Sequence, residues 1–154
     1  MQGKSSVHQA KASNQSQTAR MASAHPSEES KKLRILLMPF FAASHIAPFT
    51  DLAFRLADAR PDVVEAIVAV TQANASVVRS ALTRRGPNGR AAVKVATYAF
   101  PAAGAGLPPG VENLSTVTAA DSWRIDAAAF DESLMRPGQE RLVRESSPDA
   151  IVTD

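Results

Sequence analysis

The stretch LRILLMPFFAASHIAPFTDLAFRL, residues 33–56, reads as a buried strand, a short loop ending in Ser44-His45, and an amphipathic helix. Ile35, Leu36, Leu37 and Met38 form a continuous apolar run, the pattern of a parallel strand covered on both faces. Pro39 has no N–H for a ladder and ends it. Beyond the loop, Phe49, Leu52, Ala53 and Leu56 recur at i, i+3, i+4 and i+7 and predict one apolar stripe. Pro48 fits the first turn of that helix, where a missing N–H costs little. No glycine stands between Leu33 and Gly86, so the loop cannot be a glycine-rich phosphate cradle. It offers a side chain instead, and His45 is its one ionisable group.

Outward from this unit the chain alternates. Residues 63–70 read as a second buried strand around Ile67 and Val68, and residues 71–74 as the loop that follows. Residues 76–82 place Val77, Val78, Ala81 and Leu82 on one helical face, stopped by Gly86-Pro87. Val93, Val95, Thr97 and Tyr98 make a third strand. PAAGAGLPPG, residues 101–110, is loop by its glycines and prolines. A helix is expected over residues 121–134, with Ile125, Ala128, Ala129 and Phe130 apolar, broken at Pro137-Gly138 before a further helix over 139–145. Trp123 reads as core or lid packing. Residues 148–154 look like a fourth strand.

Strands alternating with helices predict right-handed crossovers and an α/β fold, a Rossmann-like parallel sheet with helices on both faces. The doubly wound order 3-2-1-4 makes the first and fourth strands neighbours at the switch point, where ligands bind outside the carboxyl ends. His45 follows the first strand and Asp154 ends the fourth, so topology puts a histidine and a carboxylate on one rim.

Charge locates the partners. Of 17 basic and 15 acidic residues, five and two respectively precede Leu33, which leaves a nearly neutral remainder and argues against a nucleic-acid surface. The first 32 residues are rich in Ser, Gln, Ala and Lys and predict a disordered tail, with the ordered domain over 33–154. Met21 reads as the natural start. The tail has no apolar core of a secretory signal, and no run is long enough to span a membrane, so a cytoplasmic protein is expected. With no cysteine there is no disulfide, zinc-thiolate or thiol nucleophile. The sequons at Asn74 and Asn113 are then expected not to meet glycosylation machinery.

Four separated stretches carry a family likeness: Pro39-Phe40-Phe41 followed by His45-Ile46-Ala47-Pro48, then TQANAS at 71–76, GLPPGVENL at 106–114 and SPDAIVTD at 147–154. In order and spacing they resemble the N-terminal halves of plant-type UDP-glycosyltransferases. The resemblance implies a GT-B fold of two facing Rossmann-like domains, the N-terminal one holding the acceptor and the C-terminal one the UDP-sugar. His45 matches the catalytic histidine and Asp154 the aspartate that supports it. The co-substrate is a UDP-sugar, the partner a small hydroxylated acceptor, and neither a cofactor nor a metal is implied. Ser44 departs from the glycine of many members. Because the chain stops at Asp154, the donor domain is missing from it, and this acceptor-side piece is expected not to turn over alone.

From position alone His45 fits a general base or a histidine satisfied near a helix end, and Asp154 a supporting carboxylate or a strand-end turn. Phe40, Phe41 and Ile46 fit either an acceptor pocket or core packing. Two rival functions stand beside transfer: a non-catalytic small-molecule binder that keeps the crevice, and a flavodoxin-like regulator, which would normally show a fifth strand.

Overall fold

The computed structural model describes residues 31–154, apart from the side chains of residues 89–91. The expectations for the tail and for Met21 concern residues outside this range, save Lys31 and Lys32, which precede the first strand. Nine elements follow in chain order: β1 (Leu33–Met38), α1 (Ala43–Ala59), β2 (Val64–Thr71), α2 (Ala75–Arg85), α3 (Pro87–Ala92), β3 (Val93–Tyr98), α4 (Ser122–Phe130), α5 (Glu132–Ser146) and β4 (Ala150–Thr153). The four strands form one parallel sheet in the order β3-β2-β1-β4. This is the expected Rossmann-like α/β arrangement, with the switch point between β1 and β4.

Successive strand residues point to opposite faces, so each apolar run feeds two cores. Leu37, Val68 and Val70 join Ile46, Ala53 and Phe54 of α1 and Val78 of α2 on one face. Leu36, Ile67 and Ala69 join Ile125 of α4 and Met135 and Leu142 of α5 on the other. Leu36 and Leu37 are both wholly buried, each worth about 1.5–3 kcal/mol of transfer free energy.

Several local expectations are corrected. The helix begins at Ala43, with Ala42 extended at φ −138°, so His45 lies in the first turn of α1 and not in the loop. Pro48 consequently falls in the second turn; its ring leaves the carbonyl of exposed Ser44 without an i+4 donor. The buried face of α1 is Ile46, Thr50, Ala53, Phe54 and Ala57, while Leu52 is 37% exposed and Phe49 and Leu56 only flank the core. Small Ala53 and Ala57 let the helix approach the sheet closely, and buried Thr50 is satisfied because its hydroxyl donates to Ile46 O at 2.7 Å.

Next, Gly86 (φ +84°) ends α2 as expected, but Pro87 then starts the short α3, for which no element is expected from the sequence. Last, the helix after the long loop breaks at Asp131 and not at Pro137-Gly138. The Asp131 side chain accepts from Ser133 N and Leu134 N and caps α5, which runs through Pro137 in its second turn. This turn of the chain leaves Phe130 85% and Trp123 61% exposed, so neither is core.

Candidate active site

Two strand ends and one helix start build the site. The β1–β4 register pairs Met38 with Thr153, which sets Asp154 one step further, beside the loop that leaves β1. There its carboxylate bridges two groups: Phe40 N donates to Oδ1 at 2.9 Å, and His45 Nδ1 donates to Oδ2 at 2.5 Å. Both side chains are reachable from solvent, His45 at 46% and Asp154 at 26% exposure. A carboxylate acceptor at Nδ1 requires the proton on that nitrogen and leaves the lone pair on Nε2. The arrangement is that of a base held in one tautomer by an acid partner.

The ring of Phe40 stands edge-on to His45 with centroids 5.5 Å apart, and Phe41 follows at 5.3 Å from Phe40 and 5.3 Å from Phe100. Phe40 and Phe41 line a cavity of about 230 Å³ together with Met38, Tyr98, Gln139 and Asp154. Phe41 also belongs to the core on that face, 5% exposed. A wider cleft of about 680 Å³ between α5 and β4 shares Met38, Ala129, Gln139 and Thr153 with it. Tyr98 is buried, and that desolvation, with the Glu112 charge second, raises its phenol well above the ordinary range.

Ile46 does not join this group. It is 1% exposed and packs with Leu37 and Ala53 in the core on the opposite face of the sheet, because the first turn of α1 directs it inward while His45 faces the rim. Of the two readings of Ile46, acceptor pocket or core packing, its burial is that of core packing.

The sequence reading assigned no role to the residues that hold the helix start. Ala42 provides no side-chain cap for α1. The hydroxyl of Ser115, 72 residues away, accepts from Ala43 N at 3.0 Å, and Leu114 N donates to Phe41 O at 2.7 Å. Behind them lies a polar cluster. Asn74 Nδ2 donates to Thr71 Oγ1 and to Glu112 O, Ala73 N donates to Glu112 Oε2, and Asn113 Nδ2 donates to Asn74 Oδ1. Both sequon asparagines are thus buried and bonded, at 1% and 6% exposure. The segments TQANAS and GLPPGVENL, conspicuous in the sequence, meet here.

Among the described residues no cluster of three or more His, Cys, Asp or Glu is placed to hold a metal ion, and no helix is long and apolar enough to cross a membrane.

Comparison with known proteins now bears on the site. No family model matches the chain. It is 32% identical over 126 residues to nuatigenin 3-beta-glucosyltransferase of Solanum aculeatissimum, covering 81% of this chain and 25% of that protein. It is 31% identical over 122 residues to solanidine UDP-glucose glucosyltransferase 1 of Solanum tuberosum, covering 79% and 24%. Among solved structures it is similar to a Glycyrrhiza uralensis UDP-glycosyltransferase in complex with glycyrrhetinic acid 3-O-monoglucuronide, with a TM-score of 0.65 and 27% identity over 80% of this chain and 24% of that one. The chain thus spans about a quarter of the length of the relatives it matches. Over that quarter, the chain is similar in sequence and in fold to the plant UDP-glycosyltransferases.

Proposed function

We propose that residues 33–154 are the acceptor-binding domain of a UDP-glycosyltransferase. Within a polypeptide of the relatives' full length, they would direct transfer of a sugar from a UDP-sugar to a hydroxyl of a small molecule, with inversion. The observation that carries this reading is the 2.5 Å contact between His45 Nδ1 and Asp154 Oδ2 at the carboxyl ends of neighbouring strands. His45 Nε2 takes the acceptor proton as the acceptor oxygen attacks the anomeric carbon. The bond from that carbon to the UDP oxygen breaks, and UDP leaves with the electron pair. Imidazole suits the step because it exchanges protons near neutral pH. Asp154 holds Nδ1–H, fixes the ring and stabilises the imidazolium that forms. Phe40 and Phe41 supply the apolar wall of the acceptor cavity beside the dyad. The donor is held by sequence outside these residues, and the protein works in the cytoplasm.

The test uses a full-length product containing this sequence, with UDP-glucose as donor and nuatigenin and solanidine as the first acceptors. His45→Ala is expected to lower kcat by roughly 10²–10⁴-fold, the ordinary range for loss of a general base. Asp154→Asn, which keeps the shape but not the tautomer preference, is expected to lower it by about 10²-fold or more with acceptor KM little changed. Transfer that survives His45→Ala would overturn the assignment. Acceptor binding that is indifferent to UDP-glucose, with no product formed, would favour the non-catalytic binder.

A further inference from the structure

We infer that Ser115 is a positioning residue for His45, acting as the N-cap of α1 from a distant loop. The inference rests on the reading of His45 as the base, and it gives a task to two motifs that the dyad does not use.

A helix start leaves four N–H groups without intrahelical partners, and the N-cap side chain ordinarily satisfies one of them. The N-cap of α1 is Ala42, which has no acceptor. Ser115 Oγ fills that role by accepting from Ala43 N at 3.0 Å, two residues before His45. One residue earlier the same loop grips the chain again, through Leu114 N to Phe41 O. Ser115 is itself fixed, since its N–H donates to Asn113 Oδ1 at 2.8 Å. Asn113 is tied to Asn74, and Asn74 to Thr71 at the carboxyl end of β2. A continuous series of hydrogen bonds therefore runs from β2 to the turn that carries the imidazole. Without it, the first turn of α1 keeps the packing of Ile46 in the core, but its hydrogen bonds are those to its own carbonyls and, through His45, to Asp154. Frayed N–H groups there would let the ring wander by fractions of an ångström, enough to lengthen a 2.5 Å contact.

The experiment observes the proton between His45 and Asp154 in the 154-residue chain, as the low-field proton resonance of His45 Nδ1–H, assigned by its absence in Asp154→Asn. Ser115→Ala is expected to abolish that resonance by exchange with water, while the domain stays folded and its melting temperature falls by no more than the few degrees of a lost helix cap. Ser115→Thr restores the hydroxyl and is expected to restore the signal. Persistence of the resonance in Ser115→Ala, its failure to return in Ser115→Thr, or its absence from the parent chain would each overturn the inference. In the full-length product Ser115→Ala should lower kcat by about tenfold, with both KM values within twofold; an unchanged kcat would also overturn it. Failure of the His45 reading is separate, since it is decided by transfer in His45→Ala.

Discussion

His45 and Ile46 are adjacent in sequence, yet one stands at the rim and the other in the core. One turn of helix rotates about 100° per residue, so a single position separates a rim imidazole from a core aliphatic group. The apolar pattern of His45-Ile46-Ala47-Pro48 does not say which side Ile46 takes; only the starting point of α1 at Ala43 decides it. A substitution separates the two places. Ile46→Val removes one methylene from a wholly buried site and is expected to cost about 1 kcal/mol in urea unfolding, within the usual range for this change. Acceptor KM in the full-length product should stay within twofold. A KM that moves severalfold with stability unchanged would return Ile46 to the acceptor.

At the scale of elements, the boundary between α4 and α5 shows how two signals compete. Pro137-Gly138 reads as a helix break because proline removes a donor and crowds the preceding turn. Asp131-Glu132-Ser133 reads as a helix start, and in the structure this local chemistry wins: Asp131 Oδ1 accepts from Ser133 N, Ser133 Oγ and Leu134 N. Proline in the second turn is then tolerable, since the carbonyl it leaves unpaired belongs to exposed Ser133. Asp131→Ala should therefore lower the melting temperature measured by circular dichroism, by a few degrees for a domain of this size. Pro137→Ala should leave it equal or higher. The opposite ranking would place the functional helix boundary at Pro137. The strands, by contrast, were legible at once, because runs such as ILLM and AIVAV have no competing signal.

For the whole molecule, strand order was legible because handedness and alternation leave few topologies for four parallel strands, and order alone joined His45 to Asp154 across 109 residues. The polar cluster that braces α1 was not legible. Nothing in TQANAS or GLPPGVENL states that Asn74 faces Asn113, a contact that exists only after β2, α2 and the long loop are assembled. The assembled charges set a pH window for stability. Asp149 is held below the ordinary carboxylate range, chiefly because Arg34 N donates to it, with Lys31 nearby; Asp131 is held low chiefly by the Ser133 hydroxyl and then by Leu134 N. For both, the unfolded chain binds the proton first. Their contribution is full above about pH 4 and is lost as pH falls through the lower folded values. Tyr98 acts at the other end. Burial raises its phenol, so the unfolded chain loses that proton first, and the contribution is full below about pH 10 and lost above it. Because Tyr98 is the sole tyrosine of the chain, tyrosinate absorbance reports on it alone. In an alkaline titration the absorbance should rise together with loss of the helical circular-dichroism signal, as one transition. Tyr98→Phe should shift the unfolding to higher pH. Tyrosinate formed while the helices remain intact would mean that the rim cavity beside Asp154 admits water to the ring, and the buried-phenol account of the alkaline limit would fall.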